Sequence, residues 1–222
     1  LTLGCLRSIA AIDREGLDVH VIVVDDGSTD GTAEAIAAEH PDVEVIRGDG
    51  SLWFTEGTNV GVRRALTRHP DFVLMINDDQ VFDRQCLRAM VETARAYPRA
   101  VVGALLFLWD TPDRLFQTAP VWDTWRGGWR HWYRQSSATV PDRPWTVDLI
   151  VGNCVLAPRA AFGIQLADDG ADVRLQQAGA QHNENQAQVE SVAARKRQGK
   201  LAERDDDSAK PYRALGAEET IG

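Results

Sequence analysis

Two pairs of adjacent carboxylates each follow an apolar run that has the character of a buried strand. Asp25 and Asp26 come directly after the run at 21–24, and Asp78 and Asp79 follow the run at 71–76 and one asparagine. In open α/β sheets, ligands bind in a crevice outside the carboxyl ends of the strands. Carboxylates at such an edge suit ribose hydroxyls or base N–H groups, whereas bare phosphate favours backbone N–H groups or cations. The alternative for the first pair is a polar strand-to-helix turn.

The second pair also has the chemistry of a metal site. Adjacent carboxylates repel each other unless a cation lies between them, and ligands that are all oxygen favour Mg²⁺ or Mn²⁺. A cation at Asn77, Asp78 and Asp79 would neutralise a diphosphate leaving group.

The elements that must position these residues alternate along the chain. Hydrophobic periodicity predicts helices within 2–12 and at 31–39, 57–68 and 83–97, and strands at 20–25, 43–47, 71–76 and 100–107. The expected helix caps are Ser28, Thr29 or Asp30 for the second helix, Thr58 or Asn59 for the third and Asp83 for the fourth. This alternation predicts an α/β fold with a mostly parallel sheet flanked by helices.

Composition excludes several classes of protein. A chain of 222 residues with 44% hydrophobic content forms one sizeable core, and a net charge of −9 argues against a nucleic-acid binder. The three cysteines are scattered, which disfavours a zinc site or disulfide framework and suits a reducing cytoplasm. The longest apolar run, at 100–109, is about half as long as a membrane-spanning helix requires. Peripheral attachment to a membrane stays open.

Six of the seven tryptophans lie between Trp109 and Trp145. Indole rings stack on the C–H faces of sugars, and their N–H groups suit a half-wet edge. We therefore expect Trp125 and Trp129 to contact a sugar. The alternative is a hydrophobic flap or a subunit contact, because aromatic residues are also enriched at interfaces.

Four segments together resemble one family. They are VIVVDDGSTDGT at 21–32, GSLWFTEGTNVGVRRAL at 50–66, DFVLMINDDQVF at 71–82 and VDLIVGNCVLAPRAAF at 147–162. In their order and spacing they resemble a family 2 glycosyltransferase of the GT-A type, in its rhamnosyltransferase-like branch. The resemblance covers residues 1–163, which we expect to form the glycosyltransferase domain.

The resemblance also implies roles for individual residues. Asp25 or Asp26 would contact the base and ribose of a sugar nucleotide, Asp78 would reach the ribose or sugar, and Asp79 would hold Mg²⁺ or Mn²⁺. The other residues expected in the nucleotide-sugar site are Ser28, Gly57 and Asn59. Trp125 and Trp129 would lie on the acceptor side, or in a loop that covers the donor.

The implied reaction moves a sugar from a nucleotide diphosphate, with dTDP-rhamnose as the leading donor, to an acceptor hydroxyl. The acceptor would be a glycan or lipid-linked molecule in cell-surface polysaccharide synthesis, the anomeric carbon would invert, and the enzyme would be cytoplasmic or peripheral at the inner face of the membrane. The rival hypothesis is an inactive, truncated remnant that still binds the sugar nucleotide. Neither GxGxxG after a strand nor a P-loop is present, which argues against dinucleotide oxidoreductases and P-loop enzymes.

The two ends of the chain depart from the family pattern. The sequence opens on the helix that follows the family's first strand, so we expect a fragment without that strand. The match fades after Gly163, and residues 164–222 are polar and expected to be disordered or loosely helical, or the product of a frame error. Asp168 and Asp169 are the candidate general bases, with solvated surface carboxylates as the alternative.

Overall fold

A computed structural model describes residues 1–116, 120–130 and 135–163, together with the backbone of a strand at 191–194. The helices are α1 (Thr2–Ala10), α2 (Thr32–Glu39), α3 (Trp53–Leu66) and α4 (Cys86–Ala96). The strands are β1 (Ile22–Asp25), β2 (Glu44–Arg47), β3 (Phe72–Ile76), β4 (Val101–Ala104), β5 (Val121–Asp123), β6 (Gly128–Arg130), β7 (Trp145–Val147), β8 (Cys154–Pro158) and β9 (Ser191–Ala194). Short 3₁₀ turns span Ser137–Thr139 and Arg159–Phe162.

These strands form three hydrogen-bonded groups. β1 pairs with β2 in parallel, five strands follow the order β3-β8-β4-β9-β7, and β5 and β6 form a hairpin. The α/β class is as expected, but the sheets are mixed rather than mostly parallel, because β8 runs antiparallel to β3 and β4 and β7 runs antiparallel to β9. The strict alternation of helix and strand stops after β4, and β8 is reached without a crossover helix of the kind that parallel pairing requires.

The helices cover both faces of the strands. On one face, buried residues of α1, α2 and α4 share a core with the sheet, in which Ile36, Met90 and Val102 are almost fully buried. On the other face, α3 packs Val62 and Leu66 against β3. Alternate residues of β3 contribute to the two cores, as the period-two geometry of a strand requires.

Helix α3 begins at Trp53, four residues before the expected start. Gly57 therefore lies inside the helix, and Thr58 is not a cap, since its Oγ1 donates to the Phe54 carbonyl at 2.7 Å. A Cβ on Gly57 would lie 3.9 Å from Val24, and one on Gly61 would lie 3.3 Å from the same side chain. The contact at Gly61 is tighter than an ordinary one, so this glycine allows α3 to pack closely on β1, whereas Gly57 has room for a Cβ.

The caps of the other helices are partly as expected. Asp30 Oδ1 accepts the Thr32 backbone N–H at 3.0 Å and the Thr32 hydroxyl at 2.6 Å at the start of α2. Asp83 Oδ1 accepts the N–H of Gln85, the residue that precedes α4. Asp30 and Asp83 thus accept hydrogen bonds from backbone N–H groups at or beside the first residues of α2 and α4.

An edge of β1 and an edge of β3 have no strand partner within the described part of the chain. A cavity of about 1400 Å³ lies between them and is lined by residues of both strands. The expected strand before residue 1 stays a prediction, as does the expected state of residues 164–222, which lie outside the described part apart from β9. Within the described residues, no helix combines the length and apolar character needed to cross a bilayer.

Glu44 connects β2 to α3. Its carboxylate accepts from Arg68 at 2.9 Å, lies 3.1 Å from His20 Nε2 and also pairs with Arg64. Hydrogen bonds from these three side chains lower the pKa of Glu44 from 4.5 to about 2. The charged carboxylate is therefore favoured in the folded state.

The Glu44→Gln variant is expected to lower the free energy of unfolding by about 1 kcal/mol at neutral pH, the scale of a partly exposed ion-pair network. Because the folded pKa is depressed, this contribution is present above pH 4.5 and disappears as the pH falls towards 2. Denaturant unfolding of both proteins across that range measures the difference. Glu39→Gln is the matched control, since Glu39 pairs only with an exposed arginine; a difference that does not shrink in acid would contradict the assignment.

Candidate functional site

Asp25 is the last residue of β1, and its side chain is buried. One of its carboxylate oxygens accepts a hydrogen bond, and the other does not. Oδ1 accepts the Ser28 backbone N–H at 3.0 Å. Oδ2 is buried without a hydrogen-bond partner in the described structure, and Arg47 Nε lies 3.8 Å away, beyond hydrogen-bond distance. Such a carboxylate oxygen has open acceptor capacity, and leaving it unpaired in the folded protein carries a free-energy cost.

The neighbouring Asp26 makes different contacts, because both of its carboxylate oxygens accept hydrogen bonds from the backbone. Its Oδ1 accepts the Gly50 N–H at 2.9 Å, and its Oδ2 accepts the Trp53 N–H at 2.9 Å. One carboxylate thus fastens the end of β1 to the loop at 48–53 and to the first residue of α3. The structure indicates that Asp26 shapes the site, while the base contact proposed for Asp25 or Asp26 fits Asp25 better.

Two glycines permit this close approach. A Cβ on Gly48 would lie 2.5 Å from Asp26 Oδ1 and 2.7 Å from Leu52 Cδ1. Gly27 has φ +80, and a Cβ there would lie 3.0 Å from the Gly50 nitrogen. The backbone N–H groups of Gly27 and Gly48 both donate to the Asp25 carbonyl, at 2.9 and 2.8 Å.

The second acidic strand end lies on the same cavity. Asp78 and Asp79 are exposed and line it, and Asp78 Oδ2 accepts the Thr2 hydroxyl at 2.5 Å. The Asn153 carbonyl accepts from the Asn77 N–H at 3.2 Å and from Gln80 Nε2 at 2.9 Å. The acidic turn is therefore held between α1 and the residue that precedes β8.

Two thiols near this turn are poorly suited to be nucleophiles. Burial, followed by the negative charge of Asp78, raises the pKa of Cys5 to about 11. A hydrogen bond with Cys86 and burial raise the pKa of Cys154 well above its ordinary value. A neutral thiol is a poor nucleophile, so Cys5 and Cys154 are poor candidates for covalent catalysis at this edge.

The cavity brings most of the expected site residues together. Those that line it are Asp25, Asp26, Ser28, Gly57, Asp78 and Asp79. Asn59 is not among the lining residues, and its side chain instead hydrogen-bonds Glu56 and helps to lower the pKa of that carboxyl, after the larger contribution from Arg63.

The acidic turn suits a divalent metal in one specific way. The described residues contain no group of three or more His, Cys, Asp or Glu side chains arranged as a metal cage. Mg²⁺ is commonly bound by one or two carboxylates together with waters and substrate phosphates. The oxygen donors of Asp78 and Asp79 fit that incomplete set, in which the substrate supplies further ligands.

Two aromatic residues of the site were missed by sequence reasoning. Trp53 is 81% exposed with φ +55, and the neighbouring Phe54 is also exposed; both line the cavity. A positive φ at a bulky residue is unfavourable and needs support, which the bond from its N–H to Asp26 supplies. The sequence did hold a signal for Trp53, because it is the one tryptophan of seven that lies outside the cluster at 109–145.

Arg47 and Thr2 were also missed. Arg47 is the β-ladder partner of Asp25 and also pairs with Glu34 at 2.6 Å. The sequence did hold a signal for Arg47, because it is a basic residue at the end of a strand that follows the strand ending in Asp25. The contact of Thr2 with Asp78 spans 76 residues and has no local signal in the sequence.

The remaining expected residues lie apart from the cavity lining or outside the described chain. Trp125 and Trp129 belong to the β5–β6 hairpin and do not line the cavity. The hairpin is connected to the loop before β8, because the Trp122 N–H donates to Asp148 at 3.2 Å. Asp168 and Asp169 lie outside the described residues.

Comparison with known proteins agrees with this geometry. The model of the family described as glycosyl transferase family 2 matches residues 2–163, which is most of the chain. The chain belongs to glycosyl transferase family 2. The predicted family is therefore confirmed, and the two acidic strand ends are features of a family 2 domain.

The relatives of this family 2 chain include the N-acetylglucosaminyl-diphospho-decaprenol L-rhamnosyltransferases of two Mycobacterium tuberculosis strains, CDC 1551 / Oshkosh and ATCC 25618 / H37Rv. Each is 29% identical over 170 residues, covering 65% of this chain and 53% of the relative. The chain thus spans about half the length of these curated relatives.

The fold is similar to that of GalNAc-T7, solved with UDP, GalNAc and Mn²⁺. The TM-score is 0.57 at 12% identity, and the match covers 86% of this chain and 39% of that one. At this identity the similarity concerns the fold, and it supports the predicted GT-A class.

The Gly48→Ala variant tests the close approach of the loop to Asp26. The added methyl would overlap the carboxylate and Leu52, so we expect a loss of about 1–3 kcal/mol in unfolding free energy. Hydrogen exchange at the Gly50 and Trp53 amides should accelerate. Gly4→Ala is the control, because a Cβ there meets nothing within 4 Å; unchanged exchange in Gly48→Ala would show that the loop does not depend on this contact.

Proposed function

We propose that this chain transfers a sugar from a nucleotide diphosphate to an acceptor hydroxyl. The observation that carries the proposal is that Asp25, whose buried Oδ2 has no hydrogen-bond partner, lines one cavity together with Asp78 and Asp79. One strand end offers an acceptor for the base or ribose, and the other offers oxygen ligands for a cation beside a diphosphate. Membership of glycosyl transferase family 2 supports the same reaction.

The donor would enter between the two strand ends. Asp25 accepts a hydrogen bond from the base or ribose, while Asp26 holds the loop and Trp53 in place. The exposed rings of Trp53 and Phe54 provide apolar faces on which a base or sugar can stack. Asp78, which is oriented by Thr2, is assigned to the ribose or sugar. We also assign Ser28, Gly57 and Asn59 to the nucleotide-sugar site.

Asp79, with Asp78 beside it, would hold Mg²⁺ or Mn²⁺ in this proposal. The bound cation would neutralise the charge that develops on the departing diphosphate. The protein's own contribution is to orient the donor. Mn²⁺ in the GalNAc-T7 structure agrees with this choice of metal class.

Asp168 and Asp169 remain the proposed bases. A single displacement with inversion requires a base that faces the acceptor, and the carboxylates at 78–79 are assigned to the other side of the reacting carbon. The inverting outcome follows from that arrangement.

The acceptor is proposed by analogy with the relatives. Their name specifies a decaprenol-linked acceptor and L-rhamnose transfer, so we propose dTDP-rhamnose as donor and a lipid-linked glycan as acceptor, in polysaccharide synthesis. Such an acceptor implies a cytoplasmic enzyme that associates peripherally with the inner face of the membrane. Trp125 and Trp129 are assigned to the acceptor side.

The second candidate is a chain that binds the sugar nucleotide without transferring the sugar. This candidate requires only contacts to the donor, and Asp25, Asp78 and Asp79, to which those contacts are assigned, line the cavity. Calorimetry against several nucleotide sugars with and without Mn²⁺, followed by a donor-hydrolysis assay, separates the two candidates. Binding with hydrolysis or transfer supports the enzyme, and binding alone supports the second candidate.

The Asp25→Asn variant should weaken nucleotide-sugar binding by at least about tenfold. The amide nitrogen would place a donor where the proposed contact with the ligand needs an acceptor, and a hydrogen bond to a charged group is worth about 1.5–3 kcal/mol. Calorimetry measures the change. Asp42→Asn, at an exposed turn, is the control, and equal affinity for Asp25→Asn and the original chain would remove Asp25 from the donor site.

The Asp79→Ala variant should abolish the effect of Mn²⁺ on nucleotide diphosphate affinity. The comparison is the affinity with Mn²⁺ against that with a chelator, measured in both proteins without any transfer assay. Asp42→Ala is the matched carboxylate deletion and should keep the full Mn²⁺ response. If Asp79→Ala keeps it too, the metal assignment is wrong.

A further inference from the structure

The β5–β6 hairpin presents aromatic side chains to solvent at a site separate from the cavity. Trp125 lies in its turn and is 99% exposed. Trp122 and Trp129 face each other across the two strands with ring centroids 5.2 Å apart in an edge-to-face arrangement, and both are half-exposed. An indole with no protein contact over nearly its whole surface is unusual, because large apolar side chains favour burial.

The hairpin is ordered by its own polar contacts. Asp123 Oδ1 accepts the backbone N–H groups of Trp125 and Arg126, at 3.1 and 3.2 Å, and Asp123 Oδ2 lies 3.3 Å from Arg130 Nε. Gly127 completes the turn with φ +63. This geometry holds Trp125 at the tip, with its ring directed away from the protein.

The charge of the hairpin contrasts with that of the chain. Residues 121–130 contain two arginines and one aspartate, whereas the whole chain has a net charge of −9. Arg126 and Arg130 lie 4.0 and 3.3 Å from the Asp123 carboxylate, yet their side chains are still 78% and 62% exposed. A positive aromatic segment on an acidic protein is attracted to an anionic surface, and the rest of the protein is repelled from it.

We propose that this hairpin is the element by which the protein docks on an anionic lipid surface. Trp125 enters the headgroup region, where an amphipathic indole is favoured, and Arg126 and Arg130 pair with lipid phosphates. The proposal deepens the proposed function, since it rests on a lipid-linked acceptor for its purpose, but lipid binding is measurable by itself.

Two other partners fit the hairpin less well. Small-molecule sites are concave and enclose their ligand, whereas Trp125 stands on a convex turn, so its role on the acceptor side would be to contact the lipid rather than to enclose a sugar. A stable contact between two copies buries about 800 Å² on each partner, which is more than the exposed tip of one short hairpin offers.

The test is sedimentation of the full chain with phosphatidylcholine vesicles, with and without phosphatidylglycerol. The original protein should bind the anionic vesicles, and the bound fraction should fall with added salt. Arg126→Glu should reduce partitioning by about five-fold for each unit of charge, and Trp125→Ala should also reduce it several-fold.

Matched controls come from the loop after α4. Tyr97→Ala removes another aromatic ring, 45% exposed, and Arg99→Glu reverses another exposed charge; both should bind vesicles as the original protein does. The proposal is overturned if the protein does not bind anionic vesicles, or if the control variants lose binding equally. It is also overturned if Trp125→Ala alters the oligomeric state in size-exclusion chromatography without altering vesicle binding.

Donor calorimetry on the same preparation keeps this proposal separate from the proposed function. Vesicle binding without donor binding would sustain the docking surface and reject the transferase assignment. Donor binding without vesicle binding would reject the docking surface and leave the transferase assignment to the hydrolysis and transfer assay.

Discussion

The shape of the site depends on one carboxylate, that of Asp26. Each of its two oxygens accepts a backbone N–H, from Gly50 and from Trp53, so the residue joins the end of β1 to the start of α3. Charge-assisted hydrogen bonds of this kind are stronger than those between neutral groups. They hold Trp53 in a conformation that a bulky side chain otherwise avoids, and they require glycine at position 48, where any side chain would overlap the carboxylate.

The structure thereby divides two identical, adjacent residues into different roles. Side chains alternate along a strand, so Asp25 and Asp26 leave the end of β1 in different directions. Each oxygen of Asp26 accepts one backbone N–H, whereas the buried Oδ2 of Asp25 has no hydrogen-bond partner and lies 3.8 Å from Arg47 Nε. A ligand that lacks the matching donor leaves the cost of burying such an oxygen uncompensated. In the proposed function, Asp25 is therefore the residue that discriminates among ligands.

Sequence reasoning was most successful where the signal is local. The strands that end at Asp25 and before Asn77 lie close to their expected bounds, and periodicity located α4 because its apolar residues recur on one face. It failed where tertiary contacts decide. The third helix was expected to start at residue 57, yet α3 begins at Trp53 and Gly57 lies inside it. The antiparallel path of β8 and the contact of Thr2 with Asp78 depend on residues distant in sequence, and no local pattern encodes them.

The relative placement of the two acidic strand ends follows from helices rather than from a continuous sheet. β1 and β3 share no ladder hydrogen bonds, and a cavity lies between them. What connects the strands is α3, which packs on both, together with the apolar core that α1 and α4 form on the opposite face. Packing of side chains is less directional than a hydrogen-bonded ladder, so the separation of the strand ends is less strictly fixed than the geometry within each. A ligand that contacts Asp25 at one end and Asp79 at the other would add a direct connection across the gap, and its binding would stabilise the fold by mass action.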